Sequence, residues 1–189
     1  MSTSTASEVV IERVPLWLAV ALTVVISIPF GTLLHDYNLA LWATFIAWAE
    51  YFVFGAKPSA LKRIWIAFPL GALSMAVFAD INDYFIIYMR WNPIVSAALW
   101  LFVVVAAAVY AMKFHPLLQT STLSYFNGIA MYLAFYFGGI KPGAGAGPLT
   151  GDPFINAWIL WIWVTLAGIF GGFLGWLTVQ LTFPKKVKR

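Results

Sequence analysis

One carboxylate interrupts an otherwise apolar run: Glu50, in Trp48-Ala49-Glu50-Tyr51-Phe52. If that run crosses a bilayer, a charged carboxylate facing lipid costs about 3 kcal/mol near the membrane centre. Glu50 is therefore expected to face protein or water, where it could hold a polar solute or accept a proton. The alternative is a place near the cytoplasmic interface, paired with Lys57, Lys62 or Arg63 and serving assembly only. Trp48 and Tyr51 flank it, and a second polar row follows downstream. Tyr125, Tyr132 and Tyr136 are spaced by seven and four, so they share a helix face, with Asn127 giving that helix a polar flank. Tyrosines inside a bundle offer ring faces to planar or cationic solutes and hydroxyls for hydrogen bonds. Glu50, Trp48, Tyr51, Tyr125, Asn127, Tyr132 and Tyr136 are the candidate solute-binding or pore-lining residues.

A second set, His35-Asp36 and Asp80-Ile81-Asn82-Asp83, falls at the outer ends of two apolar segments. His35, Asp36, Asp80 and Asp83 could form a vestibule that attracts cations or responds to protons; solvated caps and turns are the plainer reading. Chemistry on covalent bonds has less support. The absence of cysteine excludes disulfides, thiolate metal sites and cysteine nucleophiles. The two histidines and the aspartates have no metal-ligand spacing. Ser27, Ser74 and Ser124 have no histidine nearby in sequence and no nucleophile elbow. Neither an enzyme nor a cofactor is expected.

The elements that must position these residues follow from composition. Of 189 residues, 62% are hydrophobic, 18% aromatic and 10% charged, and the mean hydropathy is +0.88. A soluble domain carries about a quarter charged residues. The sequence predicts an all-α integral membrane protein, one transmembrane domain over 1–189, with six spanning segments near 14–33, 38–56, 64–80, 93–112, 120–140 and 154–182. The first apolar run is too long for a signal-peptide core of about 7 to 15 residues.

Lysine and arginine are divided unevenly between alternate connections. Arg13, Lys57, Lys62, Arg63, Lys113, Lys185, Lys186, Lys188 and Arg189 fall on one side, and only Arg90 and Lys141 on the other. By the positive-inside rule both termini lie in the cytoplasm. The excess of positive charge thus marks topology and not a nucleic-acid partner; the expected partners are the lipid bilayer and a small solute.

Asp36-Tyr-Asn-Leu-Ala-Leu-Trp42, Asn92-Pro through Leu99-Trp100, and Asp152-Pro through Leu160-Trp161 begin alike, which suggests three parallel two-helix repeats. Pro29, Pro69 and Asn127-Gly128 perturb the intervening segments. In the last segment Gly168 with Gly172 and Gly171 with Gly175 form two small-residue faces, suited to close helix contact within a subunit or in a homo-oligomer, with the alanine face at Ala107, Ala108 and Ala111 as a candidate partner. Lys141 to Gly151 holds four further glycines and two prolines and is expected to be a flexible linker or a flap over a pore mouth.

The stretch Leu41-Trp42 to Glu50-Tyr51-Phe52, followed by Leu61-Lys62, Pro69-Leu-Gly71 and Tyr125-Phe126-Asn127-Gly128 to Phe137-Gly138-Gly139, resembles a family of small bacterial inner-membrane proteins known only as a domain of unknown function. That resemblance spans the second to sixth segments and implies a bacterial cytoplasmic membrane. It implies no activity, and it carries over no role for Glu50. The residues themselves favour a channel or facilitator for a small polar solute such as urea or a short amide. A proton-coupled transporter using Glu50, or an anchor for a partner protein, is the alternative.

Overall fold

The computed structural model describes residues 8–139 and 143–188; Lys141 lies outside them. The elements are β1 (Glu8–Ile11), α1 (Leu16–Thr32), a single 3-10 turn (His35–Tyr37), α2 (Leu41–Val53), α3 (Pro58–Ile87), α4 (Pro93–Met112), α5 (Pro116–Thr120), α6 (Thr122–Gly138), α7 (Pro153–Leu181) and β2 (Lys185–Lys188). Proline opens α3, α4, α5 and α7, where its missing N–H removes no helical hydrogen bond. Asn92 and Asp152 cap α4 and α7 by accepting from backbone N–H groups of the first turn.

Three helices, α3, α4 and α7, are long and apolar enough to cross a membrane. Among the described residues the protein is all-helical apart from the β1–β2 pair, and its apolar helices mark it as membrane-associated. β1 pairs antiparallel with β2, Glu8 opposite Lys188, and Arg13 and Val14 donate to the Thr182 carbonyl. β1 and β2 therefore sit together at one end of the bundle, called here the terminal end.

Helix direction alternates along the chain. α3 and α6 run side by side in the same sense, Gly71 against Tyr125 and Asn82 against Tyr136. α2 and α7 do likewise, Thr44 against Gly171 and Tyr51 against Gly175. α3 and α7 are antiparallel, Phe68 against Gly168 and Asp80 against Trp158. These four helices form the core. α1 and α4 lie outside it and turn large apolar side chains outward: Val25 is 62% exposed and Phe102 73%, a surface that suits lipid and not water.

The second and third helices depart from the sequence reading; the third starts at Pro58 and not at 64, so Lys62 and Arg63 lie on it and not in a connection. The third helix does not end near residue 80 but continues to Ile87, because Asp80, Asn82 and Asp83 find partners on α6 and α7 and no proline follows until Pro93. The second is shorter than expected: Asn38 to Ala40 are extended, and Gly55, at φ +92°, ends the helix.

The expected three-fold set of two-helix units is not the symmetry that the packing follows. Under it α2, α4 and α7 would be equivalent, yet α7 packs on α2 and α3, whereas α4 packs on α3. Burial repeats with a different period. The seven buried positions from Ala40 to Tyr51 recur 81 residues later, as Ser121, Ser124, Tyr125, Gly128, Ile129, Met131 and Tyr132. The same spacing relates Ala19, Thr23 and Ser27 of α1 to the half-buried Trp100, Val104 and Ala108 of α4, and the 3-10 turn at His35 to α5 at Pro116. For the third helix the spacing is 100: Ala60/Leu160, Ile64/Val164, Ala67/Ala167, Gly71/Gly171 and Phe78/Thr178 are all buried.

The molecule is thus two three-helix halves, α1–α2–α3 and α4–α6–α7. Three is odd and direction alternates, so the halves run in opposite senses. Their contacts match. A Cβ on Gly71 would lie 1.9 Å from the Tyr125 carbonyl oxygen, and one on Gly171 2.1 Å from that of Thr44; the equivalent carbonyls of Pro69 and Ile169 each accept from an indole, of Trp161 at 3.1 Å and of Trp65 at 3.0 Å, although those two donors are not themselves equivalent. Equivalent residues Phe68 and Gly168 touch each other, which places the pseudo-two-fold axis between α3 and α7.

The glycine faces of α7 are spent inside the chain, Gly168 and Gly172 on α3, Gly171 and Gly175 on α2. They do not meet the alanine face of α4, and they give no ground for a homo-oligomer.

Candidate functional site

α2 and α6, equivalent helices of the two halves, meet near the terminal end. Glu50 is 2% exposed there. Ser124 Oγ donates to its Oε2 at 2.5 Å, and Asn127 Nδ2 to its Oε1 at 2.7 Å. Glu50 makes no ion pair with Lys57, Lys62 or Arg63; its partners are neutral groups on another helix, and it is shielded from lipid. Ser124 and Asn127 are three residues apart and so project from one side of α6. The positions equivalent to Glu50, Ser124 and Asn127 are Met131, Ala43 and Ile46. The polar set therefore stands on one side of the axis, facing an apolar counterpart on the other.

Next to Glu50, α2 carries Thr44, Trp48 and Tyr51, all buried. Thr44 Oγ1, Trp48 Nε1 and Tyr51 OH have no hydrogen-bond partner among the described residues. Their spacing of four and three puts them on one face. A buried polar atom left unpaired costs about 1–3 kcal/mol, so this face has unused capacity for water or solute.

The tyrosine row of α6 does not line one shared path: Tyr132 and Tyr136 have their hydroxyls bonded to neighbouring groups, and Tyr125 borders an outer groove. Tyr125 abuts Gly71 of α3, Tyr132 OH donates to the Ala157 carbonyl at 3.0 Å, and Tyr136 OH donates to Asp83 Oδ1 at 2.5 Å while accepting from Asn82 Nδ2 at 2.8 Å. Asp80 Oδ2 accepts from the Trp158 indole at 2.8 Å. Tyr136 and Asp83, assigned above to a pore and to a vestibule, thus belong to one cluster at the end away from the termini, the distal end. His35 and Asp36 do not join it: they sit exposed on the 3-10 turn.

The glycine-rich connection is neither loose nor a plain linker in its described part. Ala146 is fully buried, and Gly145, at φ +88°, presses on the first turn of α2, where a Cβ would lie 2.5 Å from the Ala40 nitrogen. Gly147 packs on Ile159 and Trp163 of α7.

Two apolar grooves lie on the outside. One, of about 480 Å³, runs between α3 and α4 past Leu70, Leu73 and Tyr125. The other, of about 560 Å³, runs between α1 and α7 past the equivalent Phe170 and Phe173. Glu50 and Asn127 line neither. No group of three or more metal-ligating side chains occurs among the described residues.

Sequence reading paired Glu50 with Asn127 in one site but weighed Ser124 only as a nucleophile. A polar pair three residues apart in an apolar helix was the signal available. Asn82 was passed over in the same way.

The chain belongs to the family described as protein of unknown function (DUF1097), which it matches over residues 15–182. No curated protein and no solved structure matches it.

Proposed function

We propose that the chain crosses a bacterial inner membrane six times, with both termini in the cytoplasm, and carries a small polar solute such as urea or a short amide through the contact between its halves. The observation that carries this reading is the buried set of Glu50, Ser124 and Asn127. A carboxyl, a hydroxyl and an amide together offer acceptors and donors to a solute that itself has both. The unpartnered Thr44, Trp48 and Tyr51 groups lie on the neighbouring face of α2, toward α7, which belongs to the other half.

The six-span reading draws on the alternating helix directions and the uneven placement of lysine and arginine. α2, with 13 residues, covers about 20 Å of a hydrocarbon layer about 30 Å thick. Non-helical backbone is tolerated at membrane depth where protein covers it, and the buried Gly145–Ala146–Gly147 segment abuts Ala40 where α2 stops short.

The test is solute uptake by purified protein in liposomes. Acceleration over empty vesicles for urea or acetamide, reduced by Glu50→Gln, is the expected result. Rates equal to empty vesicles across neutral solutes would remove the reading. Uptake that follows an imposed pH gradient would replace passive passage with proton coupling.

A further inference from the structure

We infer that the two halves exchange conformations during transport, so that the protein works by alternating access and not as a fixed opening, with Glu50 holding the terminal end of the α2–α6 contact shut. This rests on the facilitator reading and specifies its mechanism and the chemistry of its solute.

In a molecule built from two oppositely directed halves, any difference in shape between the halves is a difference between the two ends. Exchanging the two shapes yields a second state of similar construction with the ends reversed. The halves of this chain share their helix crossings: Gly71 on Tyr125 matches Gly171 on Thr44, and Phe68 meets Gly168 at the axis. They differ in how each end of the α2–α6 contact is closed. At the terminal end two hydrogen bonds join Glu50 to Ser124 and Asn127. The equivalent positions at the distal end, Met131, Ala43 and Ile46, have no polar side chain.

At the distal end α2 and α6 meet through the rings of Trp42 and Phe135, 4.9 Å apart, and the Gly145–Gly147 wedge covers the start of α2 at Ala40 and packs on α7. That wedge lies in the 139–152 connection, which has no counterpart in the four-residue turn 54–57 between α2 and α3. Equivalent places thus carry different locks, with the shared crossings between them as the pivot. The terminal lock is made of bonds that a solute can take over. A molecule with N–H donors competes with Ser124 and Asn127 for the Glu50 oxygens, and one with a carbonyl accepts from the donors it displaces. Urea and primary amides do both, whereas a solute with neither group leaves the lock closed.

The chain has no cysteine, so single cysteines report without interference. Ala40 and Ser121 are equivalent, buried and small, and lie at opposite ends. Ala40→Cys and Ser121→Cys would be reconstituted in vesicles of known orientation and labelled with a membrane-impermeant maleimide. Adding Glu50→Leu, which leaves Ser124 and Asn127 without their acceptor, is expected to speed labelling at 121 by at least about fivefold, the effect of losing one ordinary hydrogen bond, and to slow it at 40. Ser124→Ala, which removes one donor and leaves the carboxyl, is expected to act in the same direction and serves if the Glu50 variant does not fold. Urea added to the unmodified lock should do the same.

Faster labelling at both sites, or no change at either, would overturn the inference. Reciprocal labelling without solute uptake would remove the facilitator reading and leave the two-state device. Uptake without reciprocal labelling would do the opposite.

Discussion

Tyr51 and Tyr132 occupy the same place in the two halves, 81 residues apart and both fully buried, yet only one hydroxyl is satisfied. Tyr132 OH donates to the Ala157 carbonyl at 3.0 Å, whereas Tyr51 OH has no partner among the described residues. The pair separates a structural hydroxyl from one with capacity to spare, and the two lie on opposite sides of the axis, Tyr51 beside Glu50.

Removing each hydroxyl should therefore act differently. Tyr132→Phe removes the side-chain donor to the Ala157 carbonyl, which keeps only its helical one, and is expected to lower stability by about 1 kcal/mol. Tyr51→Phe is expected to leave the melting temperature unchanged or slightly higher while reducing solute uptake. Thermal unfolding in detergent, with uptake measured on the same preparations, checks both. A clear loss of stability from Tyr51→Phe with uptake intact would assign its hydroxyl a structural bond.

The matched crossings predict matched sensitivities. Gly71→Ala and Gly171→Ala each place a methyl group about 2 Å from a backbone carbonyl, and helices cannot rotate away from backbone as they can from a flexible side chain. Each is expected to cost about 3 kcal/mol, the upper range for overpacking. Gly138→Ala, with nothing within 4 Å of the added carbon, should be neutral or mildly stabilising. Melting temperatures of the three variants decide it, and a harmless Gly171→Ala would contradict the crossing.

Local signals were legible in the sequence where one residue type does one physical job. α4 occupies 93–112, as hydropathy gave it, because Asn92 caps it and Pro93 can only start it. Glu50 stood out because a lone carboxylate in an apolar run has to be accounted for. The end of α3 was misread because Asp80, Asn82 and Asp83 look like a solvated loop until Tyr136 and Trp158, on other helices, are brought to them.

The two-fold repeat was hidden for a related reason. What the halves share is which positions are buried, while the residues themselves have diverged: between α2 and α6 only Phe45/Phe126, Ala49/Ala130, Tyr51/Tyr132 and Phe54/Phe135 are identical from Ala40 to Phe54. The connection before α7 also moves the spacing from 81 to 100. The Leu-Trp pairs that suggested three units mark helix starts and membrane-interface preference, which any span can have.

The bonds from α6 to Glu50 predict a measurable coupling. Glu50→Leu and Asn127→Leu each break the same contact, so the double variant should lose less stability than the two singles combined. The expected interaction is about 1 kcal/mol or more, since the groups touch. A cycle on chemical or thermal unfolding in detergent reads it directly. Additive losses would mean that Glu50 and Asn127 act on stability independently, and the contact would then hold nothing shut.

Gly145 offers a test of the distal closure that does not depend on transport. Its φ of +88° is unfavourable for any side chain, and a Cβ would also collide with the Ala40 nitrogen at 2.5 Å. Gly145→Ala therefore has to lift the 143–147 segment off the start of α2. Ala146, buried in the present packing, would become accessible with it. Hydrogen exchange followed by mass spectrometry is expected to rise in peptides covering 143–150 and 38–44, with α3 and α7 unchanged. Because the wedge and the Glu50 bonds close opposite ends, the same substitution should raise distal labelling at Ala40→Cys without raising it at Ser121→Cys. Faster exchange throughout the bundle would instead show that the segment is part of the general packing and no separate closure.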